Sequence, residues 1–400
     1  MDLVADPADP ADPSATRRTA LAGLVGLAAA MGIGRFAFTP LLPLMQAGGL
    51  TLPQGAWLAS ANYLGYLAGA LVCTAWSPSP HRAVRGGLLA VALSTIAMGV
   101  SPGFAAALLW RGVAGVASAF VLVGVSAWAL PRLAALGRSD ASGAMFAGVG
   151  LGMVVAGVAA LAVGVVGGPA AAGWWTLGAI ALAASAATWR TFDAAGPASA
   201  PAVARAGGAS ARLGRHALLI ACYGAFGFGY IVPATFLPAM ARHVMPDPAV
   251  FGWTWPVFGA AAALSAWIGG ALSRRVAART LWAASQAVMA LGVLLPALAP
   301  QRVDALIASA VCVGGTFIVV TLAGLQEARR VGGPAAPRLM AAMTAAFGMG
   351  QVLGPLAVGT FGAGAHGVLA NAAIAAALLL ASSLALLARS GHVAPSLPSA

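Results

Sequence analysis

The sequence predicts an all-α integral membrane protein whose twelve transmembrane helices form two pseudo-symmetric six-helix halves. Its composition, a series of long apolar segments and a phrase that occurs twice lead to this prediction. The chain has 400 residues, of which 60% are hydrophobic and 8% are charged. Soluble domains carry about 25% charged residues. This chain has too few charges to cover a water-facing surface, so we expect a lipid bilayer to surround it.

Twelve apolar segments are long enough to cross a bilayer core of about 30 Å, which requires about 20 helical residues. Turns that contain Gly and Pro, such as residues 101–103 and 167–169, separate neighbouring segments. The segments cover approximately 20–45, 54–77, 83–101, 104–130, 142–167, 171–191, 215–243, 250–273, 280–299, 302–326, 337–361 and 366–388.

These segments define the predicted domains. Residues 19–191 form an N-terminal six-helix half and residues 215–388 a C-terminal six-helix half. Residues 192–214 are rich in Ala, Gly, Pro and Ser, which is typical of a flexible linker. The acidic, proline-rich residues 1–18 are predicted to be a disordered cytoplasmic tail, and residues 389–400 a second cytoplasmic tail.

The arginines predict the orientation. All 21 basic residues are arginine, a usage that indicates a GC-rich bacterial genome. Seventeen of them fall in the tails, the linker or the loops after even-numbered segments, whereas Arg242 and Arg302 fall on the opposite side. The positive-inside rule then places both termini and the linker in the cytoplasm. We therefore predict a multi-pass protein of the bacterial inner membrane.

A phrase in the first segment returns in the seventh. The first copy reads Gly-Ile-Gly-Arg at 32–35 and Leu-Pro-Leu-Met at 42–45, and the second reads Gly-Phe-Gly-Tyr at 227–230 and Leu-Pro-Ala-Met at 237–240. The matched positions are offset by 195 residues, close to half of the chain. We interpret the shared glycines and the Leu-Pro-x-Met ending as scaffold. We expect the halves to differ in chemistry at the mismatch between Arg35 and Tyr230.

Several motifs resemble those of the major facilitator superfamily. Residues 111–115 resemble its Arg-x-x-x-Gly motif in the fourth helix, and residues 347–355 its glycine-proline motif in the eleventh. Residues 270–275 resemble its signature after the eighth helix, whereas the corresponding loop at 77–82 lacks the usual aspartate. Residues 31–45 resemble a narrower group, the YbfB/YjiJ-type transporters. The resemblance implies a two-halved transporter fold and names no substrate.

Two arginines lie inside apolar segments and are candidate substrate-binding residues. Arg35 is about 15 residues from the cytoplasmic end of its segment, and Arg111 about seven from the outer end of the fourth. In a core of about 30 Å these depths nearly coincide. None of the nine acidic residues lies at mid-membrane, so each guanidinium needs carbonyls, water or an anionic substrate. A carboxylate suits a guanidinium; the alternatives for Arg111 are bracing of neighbouring helices through carbonyls or extension to the outer interface.

Four further candidate substrate-binding residues fall on helical faces with three- or four-residue spacing. They are Asn62, Tyr66, Tyr230 and Gln351. Small residues on the same faces equally favour close packing between helices. The faces therefore predict either a cavity lining or a helix contact.

Two other features have a structural interpretation. Trp253 and Trp255 near the outer end of the eighth segment are interpreted as interfacial anchors. Glu327 is a candidate proton site or an ion-pair partner of Arg329 and Arg330, which follow it. Three ways of driving transport fit the sequence: coupling through a protonatable substrate, exchange of one substrate for another, and facilitated diffusion.

The leading hypothesis is a secondary transporter that moves a small organic molecule, in its finer form an organic anion, by alternating access. An exporter of amphipathic drugs or metabolites is the alternative within transport, and a non-transporting membrane sensor or scaffold is the alternative of another class. No catalytic cluster or metal-spaced His and Cys pattern is found, so we predict no enzyme activity, cofactor or metal site. The arginines lie between apolar segments rather than along one face, which argues against a nucleic-acid partner. We expect a monomer.

Overall fold

The computed structural model describes residues 13–76, 78–101, 103–138, 141–193, 216–245, 247–299, 301–361 and 365–388. Across these residues the chain folds into twelve long helices, and the predicted all-α membrane fold is confirmed. The helices are α1 (Pro13–Ala47), α2 (Leu52–Trp76), α3 (Pro80–Met98), α4 (Phe104–Ala135), α5 (Ser142–Val165), α6 (Ala170–Thr188), α7 (Ala217–Val244), α8 (Pro248–Leu272), α9 (Ala278–Leu298), α10 (Val303–Gly332), α11 (Ala336–Phe361) and α12 (Ala365–Ala388).

Eleven of these described helices are long and apolar enough to cross a bilayer by length and composition alone. The twelfth is α3, whose mean hydropathy is lowered by His81, Arg82 and Arg85 in its first turns. Its 19 residues match the length that a membrane core requires. It packs lengthwise against α4 and α6 and thereby completes the first six-helix half.

The outward surface of the bundle is apolar. Leu93, Leu264 and Trp267 are 54%, 63% and 64% exposed. Large apolar side chains that face outwards in such numbers would be unfavourable in water, and they suit the hydrocarbon core of a bilayer.

Helix α1 consists of three parts. An α-helix covers Pro13–Leu27, a π-helical segment covers Ala28–Arg35, and a second α-helix covers Phe38–Ala47. The π-helix is rare in proteins and is found frequently at functional sites. Helix α7, which carries the second copy of the repeated phrase, is by contrast a continuous α-helix.

The repeated glycines allow close contacts between helices within each half. A Cβ atom on Gly32 of α1 would lie 2.3 Å from the Cα atom of Gly152 of α5. A Cβ atom on Gly227 of α7 would likewise lie 2.3 Å from the carbonyl oxygen of Phe347 of α11. Only glycine permits this approach of two backbones. The equivalent glycines therefore hold equivalent helix pairs together, which supports their interpretation as scaffold.

The halves meet along three helix pairs, α1 with α7, α2 with α11 and α5 with α8. Five hydrogen bonds between described residues join the halves in the helix portions nearer the α1–α2 loop, which we call the loop side. They are Arg35 Nη2 to Gln351 Oε1, Thr39 Oγ1 to Ala234 O (2.8 Å), Ser60 Oγ to Val352 O (2.9 Å), Tyr63 OH with Thr235 Oγ1 (3.1 Å) and Arg242 Nη1 to Pro43 O (2.5 Å).

The opposite side, where α1 and α7 begin, is more open, and we call it the start side. Residues 29–43 of α1 and 229–239 of α7 are buried without interruption. Nearer the start side, Leu21 and Ala221 are exposed, and Ala28 is half-buried. The bundle is thus closed at the loop side, and corresponding faces of α1 and α7 are uncovered at the start side.

Two predicted boundaries differ from the structure. Helix α1 begins at Pro13, inside the predicted tail 1–18, because proline is favoured at the first position of a helix. The predicted linker begins at Phe192, yet this ring is fully buried against Trp128, with ring centroids 4.9 Å apart, and so belongs to the N-terminal half. Residues 1–12, 194–215 and 389–400 lie outside the described residues.

The interpretation of Trp255 as an interfacial anchor is wrong. Its side chain is fully buried, and its ring stacks on Phe258 with centroids 4.9 Å apart. It also lies 6.3 Å from the ring of Phe36 in the other half. Trp253 is 52% exposed, which suits an interfacial position.

Candidate functional site

Arg35 ends the π-helical segment and reaches across the interface between the halves. Its side chain is 2% exposed, and its Nη2 donates a hydrogen bond to Gln351 Oε1 on α11. Its Nε is buried and has no hydrogen-bond partner among the described residues. The amide oxygen of Gln351 is a neutral acceptor. The buried guanidinium of Arg35 therefore has a neutral partner, Gln351, that a ligand could replace, and an Nε–H donor without a partner among the described residues.

Aromatic rings surround this guanidinium. The Cζ atom of Arg35 lies 4.0 Å from the ring centroid of Tyr66, 5.3 Å from that of Phe36 and 5.5 Å from that of Tyr63. A desolvated cation–π contact contributes about 2 kcal/mol. The rings thus hold the cation in a buried position without neutralising its charge.

Tyr230 occupies the position of Arg35 in the second copy of the phrase. Its hydroxyl accepts a hydrogen bond from Gln351 Nε2, so Gln351 bridges Arg35 and Tyr230. The Tyr230 ring lies between Phe317 and Phe347, with centroids 5.5 Å and 5.6 Å away and an interplanar angle of 7° in both cases. The structure therefore brings together predicted site residues from α1, α7 and α11.

The guanidinium of Arg111 donates hydrogen bonds to backbone carbonyls. Its Nε donates to Leu58 O at 3.4 Å, its Nη1 to Gly34 O at 3.3 Å and its Nη2 to Arg35 O at 3.1 Å. These bonds join α4 to α1 and α2, and the side chain is 1% exposed. This geometry corresponds to the alternative in which Arg111 braces neighbouring helices through their carbonyls. Contact between Arg111 and a substrate stays a prediction.

The break in α1 explains why one of these carbonyls needs a donor. In a regular α-helix the Arg35 carbonyl would accept a hydrogen bond from Thr39 N. Here Thr39 N donates to Phe36 O at 3.1 Å, and Pro40 follows without an N–H to continue the ladder. Because a buried carbonyl without a donor is costly, the Arg111 side chain stabilises the break.

Asn62 stabilises the same break. Its Nδ2 donates to Gly34 O at 3.3 Å and to Arg111 O at 2.9 Å, and its side chain is fully buried. Its Oδ1 has no partner among the described residues. Asn62 thus links α2 to α1 and α4, and its contact with a substrate stays a prediction.

Tyr63 and Thr235 lie at the interface of the halves, although the sequence did not predict them as site residues. The Tyr63 hydroxyl and Thr235 Oγ1 lie 3.1 Å apart, and Tyr63 also contacts Arg35. Helical spacing placed Tyr66 on the candidate face of α2 and left Tyr63 outside it. The repeat held a signal for Thr235, because this residue stands where the first copy has Pro40.

Glu327 lies near the start-side end of α10 and pairs with two arginines. Its Oε1 lies 2.8 Å from Arg279 Nη2, and its Oε2 lies 2.8 Å from Arg330 Nε. The carboxylate is 1% exposed, so these arginines supply the charge that its burial requires. The geometry supports the ion-pair interpretation, with Arg279 and Arg330 as partners; a proton site there stays a prediction.

Comparisons with known proteins agree on a family. Residues 27–387 match the sequence model of a family described as "Uncharacterised MFS-type transporter YbfB". The uncharacterized MFS-type transporter YceJ of Bacillus subtilis (strain 168) is 36% identical over 94 residues, which are 23% of this chain and 24% of that protein. The matched stretch thus spans about a quarter of the length of that relative.

Solved structures of transporters have the same fold. The nucleoside transporter NupG matches with a TM-score of 0.69 and 13% identity, over 94% of this chain and 99% of that chain. A D-xylose-proton symporter matches with a TM-score of 0.71 and 10% identity, over 93% of this chain and 96% of that chain. At such identities the likeness concerns the fold alone.

Proposed function

The chain belongs to the family of MFS-type transporters described under the name YbfB, and on that premise we propose that it carries a small organic anion across the bacterial inner membrane by alternating access. The proposed substrate site consists of Arg35, Tyr66, Tyr230 and Gln351. Arg111 and Asn62 are proposed to position Arg35 by holding the break in α1.

The observation that carries the proposal is the state of the Arg35 guanidinium. It is buried, it donates to a neutral amide oxygen, and its Nε is unpartnered among the described residues. A guanidinium–carboxylate hydrogen bond joins two opposite charges, so it is stronger than the bond that Arg35 makes to the neutral oxygen of Gln351. A carboxylate that displaces Gln351 would also use the Nε donor, since arginine offers two parallel N–H groups to a planar acid.

The surroundings favour an anion with an apolar body over an inorganic ion. The rings of Tyr63, Tyr66 and Phe36 lie within 5.5 Å of the cation. Across the interface, Tyr230 and Phe317 add further aromatic surface. Such a lining buries apolar substrate surface and leaves a few polar groups to fix its orientation.

The asymmetry between the two sides supports alternating access. We infer from the positive-inside rule that the start side faces the cytoplasm. In that orientation the described conformation is closed towards the periplasm and more open towards the cytoplasm. The five hydrogen bonds between the halves would have to break for the loop side to open. One of them is made by Arg35 itself, so an anion that takes Gln351's place removes a bond that holds the halves together.

The test is thermal unfolding and ligand binding of the purified protein with a panel of organic carboxylates, their primary amides and amphipathic cations. We expect carboxylates, and not the matched amides, to stabilise the wild-type protein. Arg35→Ala should weaken carboxylate binding at least about 30-fold, the loss of about 2 kcal/mol that a charged hydrogen bond represents.

Two variants serve as controls. Arg35→Lys keeps the charge without the planar pair of donors and should bind with intermediate affinity. Arg82→Ala removes an exposed arginine of α3 and should leave the affinity unchanged. Equal stabilisation of wild type and Arg35→Ala by carboxylates would show that the anion does not bind at Arg35.

A further inference from the structure

A cavity lies at the loop side, mainly between helices of the C-terminal half and apart from the Arg35 site. Its volume is about 90 Å³, room for about three water molecules. It is lined by Gln46 of α1, Phe236 and His243 of α7, Pro296 of α9, Val358 of α11 and Asn371 of α12, among others. None of the six candidate substrate-binding residues is among those that line it. His243 is exposed and Gln46 half-buried, so they mark its mouth.

Asn371 is the buried polar group of this cavity. Its side chain is 2% exposed, and its Nδ2 donates to Gly367 O at 2.9 Å within α12. Its Oδ1 has no hydrogen-bond partner among the described residues. Because buried polar atoms are nearly always satisfied in native proteins, this oxygen points to a donor that the described residues do not supply.

Two prolines lie in the same wall. Pro233 and Pro296 both line the cavity and lie inside helices. Proline has no N–H, so neither backbone nitrogen offers a hydrogen bond to a ligand. The buried part of the lining thus presents an acceptor, Asn371 Oδ1, and a ligand with a hydrogen-bond donor complements it.

The rest of the lining fixes the character of that ligand. Phe236, Val358 and Ala372 are apolar, and none of the described residues that line the cavity carries a carboxylate to balance a cation. We propose that this cavity binds a small neutral amphiphile, a phenol-sized molecule with an apolar body and one O–H or N–H group. The O–H or N–H group donates to Asn371 Oδ1, and the apolar body contacts Phe236 and Val358.

Phenol and toluene test the proposal because they share a shape and only phenol has a hydrogen-bond donor. The experiment measures equilibrium binding of radiolabelled phenol to the full-length protein in nanodiscs, with empty nanodiscs subtracted. We expect one saturable site per chain, with unlabelled toluene at least tenfold weaker than phenol as a competitor. Equal competition by toluene, or no binding beyond that of empty nanodiscs, would overturn the proposal.

Variants locate the site. Asn371→Leu keeps the branched shape and the number of side-chain heavy atoms and removes the acceptor, so phenol affinity should fall at least tenfold while toluene affinity holds. Ala372→Phe fills the cavity and should abolish the binding of both. Unchanged phenol affinity in either folded variant would contradict the site, and the competition on wild-type protein decides the matter if a variant does not fold.

Arg35→Ala separates this proposal from the proposed transport function. The cavity does not include Arg35, so phenol binding should be the same in this variant as in the wild-type protein. A parallel loss of phenol binding would show that binding depends on Arg35, and the proposal of an independent second site would then be rejected.

Discussion

The two copies of the repeated phrase share their glycines and their Leu-Pro-x-Met ending, yet they fold differently. In α1 the phrase begins inside the π-helical segment Ala28–Arg35 and continues past its end. In α7 the phrase lies within a continuous α-helix. Pro40 of the first copy stands where the second has Thr235. Duplicated packing is therefore compatible with a break in one copy alone. The break presents a cation, Arg35, and carbonyls that accept hydrogen bonds from the side chains of Arg111 and Asn62.

The residues around the two copies differ in the same sense. The Arg35 side chain contacts Tyr66 and donates to Gln351, and the Arg35 carbonyl accepts a hydrogen bond from Arg111. Tyr230 is instead stacked between two phenylalanine rings. The N-terminal half thus supplies the charge of the candidate site, and the C-terminal half supplies a neutral aromatic wall.

The largest expected effect comes from removing the side chain of Arg111, the buried arginine of α4. Arg111→Ala removes the side-chain donor of the Arg35 carbonyl, whose helical donor is lost at the break, and one donor each from the carbonyls of Gly34 and Leu58, so we expect a loss of at least about 3 kcal/mol of stability. Thermal unfolding of the purified protein in detergent measures it. Ser309→Ala in the corresponding part of α10 removes a buried hydroxyl without a partner among the described residues. It should change stability by less than about 0.5 kcal/mol, and equal losses would refute the asymmetry.

An intermediate effect tests what the halves share. Gly32→Ala and Gly227→Ala each force a Cβ atom to within 2.3 Å of backbone atoms, and overpacking of this kind costs about 1–3 kcal/mol. We expect similar falls in melting temperature for both variants. Gly86→Ala in α3, where a Cβ would meet nothing within 4 Å, should be neutral or stabilising by up to about 1 kcal/mol. If only one of the two scaffold glycines is sensitive, the halves do not share this packing.

The smallest effect concerns the hydroxyl groups that join the halves. Thr39→Val removes the bond to Ala234 O, whose regular helical donor is missing because Pro238 has no N–H. Thr235→Val removes the bond to Tyr63. Each change should favour opening of the loop side by about 1 kcal/mol.

Spin labels at the loop side can measure this shift. On a cysteine-free background, labels at Thr51 and Met245 report the distance between the halves by double electron–electron resonance. We expect the population of longer distances to rise up to about fivefold in each threonine variant. Identical distance distributions in variant and parent would show that these bonds do not hold the loop side closed.

The helices and the two-half plan could be predicted from the sequence because apolar length and a repeat offset are properties of the chain alone. The break in α1 could not, because it depends on the register of backbone hydrogen bonds, for which Pro40 is the one local signal. Arg35 and Gln351 were both candidates, but their pairing depends on how α1 packs against α11. Trp255 was misplaced for a related reason, since its burial against Phe258 and Phe36 depends on tertiary packing.

The partners of the two buried arginines have a consequence for biosynthesis. The carbonyls that Arg111 binds lie in α1 and α2, which precede it in the chain and are in the membrane before α4 is made. Arg35 must wait for Gln351, which is 316 residues further on. At about 5–20 residues per second this interval is roughly 15 to 60 s. During synthesis the N-terminal half therefore holds one arginine satisfied by its own helices and a second that needs water, lipid headgroups or an assembly factor until α11 arrives.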